Sequence, residues 1–122
     1  MLLLTTLSIF GQQPKNFSTQ LTEALKEGNH HALSAYFGSY VMVHIDDFQK
    51  VVSAQQAKTH LADFISKNKV SSVTLIKSGD KDKQQYCIWN YISETKKWRV
   101  YILLTSEDDQ PLIHQIDIEK AQ

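Results

Sequence analysis

From residue 70 to residue 120 the sequence shows no helical period. Apolar and β-branched runs alternate there with short polar segments. The runs cover residues 70–77, 84–93, 98–105 and 111–119, and the segments at 78–82, 94–97 and 107–110 carry turn chemistry. Four strands joined by connections this short form an antiparallel meander. The third run is nearly all apolar, which predicts a central strand covered on both faces. The fourth predicts Leu112, His114, Ile116 and Ile118 on one face and Ile113, Gln115, Asp117 and Glu119 on the other.

The preceding half reads differently. Phe17, Leu21, Ala24 and Leu25 fall at helical spacing, and Gly28 and Asn29 end that helix and cap the next. Residues 30–37 predict a second short helix, with Leu33, Tyr36 and Phe37 on one side and Gly38 closing it. Residues 40–46 alternate as a half-buried strand with Val41, Val43 and Ile45 inward, and Val51 and Val52 suggest a short strand after a turn at 47–50. Ser53 and Gln56 have capping-box spacing and open a helix whose apolar face is Ala54, Ala57, Leu61, Phe64 and Ile65. Helices gathered early and a meander late predict an α+β fold in which a curved, mainly antiparallel sheet wraps the helices.

Composition excludes several function classes. The chain has 122 residues, enough for one domain, with 13 basic and 13 acidic side chains. A balanced charge argues against a nucleic-acid binder, which carries a basic excess. One cysteine excludes an intramolecular disulfide and a cysteine-based zinc cage. Residues 2–10 (LLLTTLSIF) are too few to span a bilayer and match the apolar centre of a secretory signal. The expectation is a signal-peptide remnant over residues 1–11, a domain over 12–122, and a periplasmic or secreted protein. The alternative is an N-terminal strand or helix packed on the domain.

Three segments carry a resemblance: ALKEGNHHALSAYF at 24–37, WRVYILL at 98–104 and LIHQIDIEK at 112–120. With the order of elements, they resemble the nuclear transport factor 2-like (cystatin-like) superfamily. More closely, they resemble a family of small exported Bacteroidetes proteins of unknown function, over most of the mature chain. The resemblance implies a cone of helices wrapped by a bent sheet, with a pocket between them. It implies no activity, because the superfamily holds isomerases, dehydratases and hydrolases beside many non-enzymes.

No constellation sets a reaction. His44 and Asp46 share a strand face opposite the apolar one and are expected to meet solvent. Adjacent His30 and His31 diverge on a helix, and no set of three ligands converges, so neither metal nor cofactor is expected. Cys87 sits mid-strand without a base beside it. His114 shares its row with Leu112, Ile116 and Ile118. It reads as a pocket group, as a core histidine bonded to a backbone carbonyl, or as a residue of a dimer face. The many aromatics read as core packing or as the lining of an amphipathic pocket. The candidate pocket residues are Tyr36, Phe64, Tyr86, Tyr101 and His114. The expected function is non-catalytic binding of a small apolar ligand or a protein partner, with no nucleic acid and no membrane span. The alternative is a small pocket enzyme doing acid–base chemistry with His114 and a tyrosine. A homodimer through the sheet face accompanies either reading.

Overall fold

The computed structural model describes residues 17–107 and 109–121. The expected signal segment, residues 1–11, lies outside them. The chain runs α1 (Phe17–Lys26), α2 (His30–Ser34), β1 (Phe37–Ile45), β2 (Phe48–Ser53), α3 (Ala54–Lys67), β3 (Val70–Lys81), β4 (Gln84–Ser93), β5 (Lys97–Glu107) and β6 (Gln110–Lys120). The six strands form one sheet in the order β2-β1-β6-β5-β4-β3. Every pair is antiparallel except β1 with β6, which the α3 crossover and the β3–β5 meander make parallel.

Short-range chemistry sets the helix ends. Gly28 adopts φ +63°, the left-handed stop that a Cβ disfavours, and the Asn29 side chain then accepts from Ala32 N at 3.0 Å to start α2. The capping box of α3 is present: Ser53 Oγ accepts from Gln56 N at 3.2 Å, and Gln56 Oε1 accepts from Ser53 N at 3.1 Å. Ser53→Ala is therefore expected to cost about 1 kcal/mol of stability in urea unfolding. No measurable change would mean that packing alone holds the first turn of α3.

One face of the sheet closes on the helices. Val41 and Val43 of β1, Ile113, Ile116 and Ile118 of β6, Trp98, Val100, Ile102 and Leu104 of β5, and Cys87, Trp89 and Tyr91 of β4 are all buried. They meet Leu21, Leu25, Leu33, Leu61 and Phe64 from the helices. Register shifts in β1–β6, β3–β4 and β5–β6 mark the bulges that bend the strands around this core. A hydroxyl relay ties α1 to β4: Trp89 Nε1 donates to Thr22 Oγ1 at 2.7 Å, and Thr22 Oγ1 donates to Ser18 O at 2.6 Å.

Five expectations need correction. The turn expected at 47–50 is tighter, because Phe48 already pairs with Ile45 and opens β2. The second helix stops at Ser34, because the Tyr36 carbonyl accepts from Ile113 N at 2.6 Å and draws Phe37 and Gly38 into β1. Residues 78–81 are strand, not turn, since Gly79 pairs with Tyr86 and leaves the space its ring occupies: a Cβ on Gly79 would lie 2.8 Å from Tyr86 Cε1. β5 is covered on one face only, with Tyr101, Leu103 and Thr105 half-buried on the other. His114 is not in the inward row. Leu103 pairs with Gln115 and Leu104 with Ile113, so His114 is the extra residue of a bulge, and Ile113 takes the inward place.

Candidate functional site

The five candidate residues do not converge. Tyr36 packs its ring on the edge of Phe17, 5.8 Å away, and its hydroxyl donates to Gln20 Oε1 at 3.0 Å, which seals α1 to α2. Tyr86 and Tyr101 stack at 6.3 Å on the sheet face opposite the helices. Burial, the Asp117 carboxylate and Tyr86 together hold the Tyr101 hydroxyl above its ordinary pKa. His114 lies over Gly38, where a Cβ would come within 2.9 Å of its ring, and reaches Glu107 Oε2 at 3.0 Å. Its side chain is one third exposed. Phe64 lies at a cleft into the core.

That cleft is a groove of about 390 Å³ built from three segments far apart in sequence. Helix α3 presents His60, Asp63, Phe64 and Lys67, whose spacing of three, four and seven residues makes one stripe. The β1–β2 turn presents Ile45, Asp46 and Phe48, and the β4–β5 hairpin presents Lys96 and Trp98. Asp46 holds φ 55°, a turn conformation that aspartate tolerates. In the hairpin, Ser93 N donates to Lys96 O at 2.9 Å, which fixes the Lys96 backbone.

The groove is aromatic within and charged at its rim. Trp98 meets Phe64 edge to face at 5.0 Å, and Phe48 stacks on the His60 ring at 4.3 Å. Asp63 and Lys67 pair at 3.2 Å, and Lys96 Nζ stands 5.9 Å from the centre of the Trp98 ring. Trp98 is 4% exposed, and its Nε1 is the buried side-chain polar atom with no hydrogen-bond partner among the described residues. Indole nitrogen only donates, so this position calls for an acceptor. A buried donor left unmatched costs about 1–3 kcal/mol.

Other clusters offer less. A polar hollow of about 490 Å³ between the β3–β4 and β5–β6 turns carries Asp80, Asp82 and Asp109, but no group of three or more His, Cys, Asp or Glu among the described residues is arranged to hold a metal ion. The His30 pKa is lowered by desolvation, with His31 and Lys58 adding to it. Burial pushes the Cys87 thiol up to about 11, away from the thiolate a nucleophile needs. No helix among the described residues is long and apolar enough to cross a membrane. Sequence reasoning missed Phe48, His60, Lys67, Lys96 and Trp98 as one site. The stripe on α3 was its available signal, but it also reads as an ordinary solvent-facing edge.

Residues 18–119 match the family described as "Domain of unknown function (DUF4783)". A crystal structure of a DUF4783 family protein from Bacteroides ovatus is 29% identical, covering 90% of this chain and 96% of that one at a TM-score of 0.80. Another, from Bacteroides uniformis, is 27% identical and covers 88% and 99% at a TM-score of 0.83. A nuclear transport factor 2-like family protein from Streptomyces avermitilis shares the fold at 8% identity, covering 86% and 91% at a TM-score of 0.60. No curated protein matches the sequence. With its helices on a curved six-stranded sheet and this match over almost all the described residues, the chain belongs to the DUF4783 family and has a nuclear transport factor 2-like fold.

Proposed function

We propose that this domain is a non-catalytic binding module that takes a small apolar ligand in the groove between α3, the β1–β2 turn and the β4–β5 hairpin. The observation that carries the reading is an aromatic floor holding a buried, unmatched Trp98 N–H. Apolar walls with a few placed polar groups are what small-molecule sites are made of, and the groove falls within their usual size. The pocket-enzyme reading has less support. Acid–base catalysis tunes a carboxylate or histidine by burial, and the buried polar side chains among the described residues are Ser18 and Ser93. Export is part of the proposal and rests on the apolar run at residues 2–10.

Neutral aromatic probes test the groove. Titration of ¹⁵N-labelled protein with 2-naphthol and indole is expected to move the signals of Phe48, His60, Phe64 and Trp98 together, with a Kd of about 1 mM. Phe48→Ala is expected to weaken that binding about fivefold, the worth of one aromatic contact. Shifts confined to the sheet face of Tyr86 and Tyr101, or none at all, would refute the groove as the binding site.

A further inference from the structure

We propose that the groove selects a small monocarboxylate with an apolar body, whose carboxylate accepts from Trp98 Nε1 and pairs with Lys96. This rests on the groove being a binding site and adds the chemistry of its occupant. The Trp98 donor is buried and without a partner among the described residues, whereas the other indole, Trp89, already donates to Thr22 Oγ1 at 2.7 Å. The two tryptophans thus differ in the one respect that matters for a ligand.

Charge then separates an anion from a neutral acceptor. The groove's charged groups are Lys67, Lys96, Asp46 and Asp63, with His60 beside them. Asp63 and Lys67 satisfy one another at 3.2 Å. Lys96 forms no ion pair among the described residues; it is held over the Trp98 ring instead, with its backbone pinned to Ser93. An unpaired ammonium over the Trp98 ring and an unmatched N–H on that same ring offer two donors to one acceptor group, which suits a carboxylate. The remaining carboxylate, Asp46, belongs to the β1–β2 turn rather than the hairpin, so it orients an anionic head toward Lys96 by repulsion. The apolar body lies on Phe64 and Phe48. A volume of about 390 Å³ suits a compact molecule rather than a folded partner.

Three matched probes decide this on the full chain: 4-phenylbutyrate, its neutral amide 4-phenylbutyramide, and the cation 4-phenylbutylamine. The readout is the pair of indole N–H signals at neutral pH and constant ionic strength. The butyrate is expected to move the Trp98 signal downfield and saturably while the Trp89 signal stays. Its Kd is expected to lie about three- to fivefold below that of the amide, with the amine weakest. Lys96→Met keeps the stem and removes the charge, and should bring the butyrate to the amide's affinity. Asp46→Asn, which keeps a residue tolerant of positive φ, should tighten the butyrate about twofold. Equal affinities for butyrate and amide, or tighter binding of the amine, would overturn the carboxylate assignment and leave the binding site standing. Butyrate bound with the Trp98 signal unmoved would overturn the role of the indole. No response at the groove to any probe would overturn both the carboxylate and the site.

Discussion

Trp89→Ala is expected to destabilise the domain by about 3–5 kcal/mol, the cost of emptying a large aromatic site in a core. Trp89 is 0% exposed and sits in β4, paired with Leu75 of β3 and Val100 of β5. Its removal acts twice. It opens a cavity beneath α1, and it takes away the donor that binds Thr22 Oγ1, the hydroxyl that itself holds the Ser18 carbonyl. Domains of this size are stable by only about 5–15 kcal/mol, so one substitution removes a large share of the total. The midpoint of thermal unfolding should fall by at least about 10 °C. Trp89→Phe keeps much of the apolar area and loses the N–H, and its cost should fall between zero and that of alanine. Urea unfolding of both variants separates packing from the hydrogen bond. A loss for Trp89→Ala below about 1 kcal/mol would show that the core refills the site and that the relay is incidental.

Much of this architecture was legible because local chemistry and burial agree. The Ser53–Gln56 capping box and the inward row of Val41 and Val43 follow from spacing alone. The errors arise where one residue changes the count or a distant partner overrides a local signal. A strict alternation puts His114 inward, and one bulged residue in β6 puts Ile113 there instead. Nothing local marks that insertion. Residues 78–82 have turn composition, yet pairing with β4 extends β3 to Lys81 and moves the turn to Asp82, which takes φ 59°. The groove was the least legible part. Its pieces lie at residues 45–48, 60–68 and 96–98, and no periodicity within one segment joins them. Aromatics with polar tips pointed to a pocket, but Tyr36, Tyr86 and His114 spend their polar or ring contacts on Gln20, Tyr101 and Glu107.

Alkaline pH is expected to weaken the fold steeply, through groups that the core holds neutral. Burial pushes the Tyr91 hydroxyl from 10.0 up to about 12, and the Cys87 thiol from 9.0 up to about 11. In the unfolded chain both groups lose their protons at their ordinary values. As pH rises above about 9 the unfolded state is therefore the first to deprotonate, and it gains free energy relative to the native state. The stability tied to these groups is fully present below the unfolded values and is lost as pH rises through the folded ones, between about pH 9 and pH 12. Each group contributes at most roughly 2–3 kcal/mol to that loss. Tyr101, raised in the same direction, adds to it. Tyr91 also donates to the Asn68 carbonyl at 2.6 Å, at the end of α3. Tyr91→Phe should thus be less stable than the wild type by about 1 kcal/mol at neutral pH, having lost that donor. It should nonetheless lose less stability between about pH 10 and pH 12, because no phenol remains to ionise on unfolding. The two curves of stability against pH are expected to cross. Lysine deprotonation in the same range is common to both proteins and cancels in the difference. Curves that stay parallel from about pH 8 to pH 12 would mean that the Tyr91 hydroxyl ionises as readily in the fold as outside it.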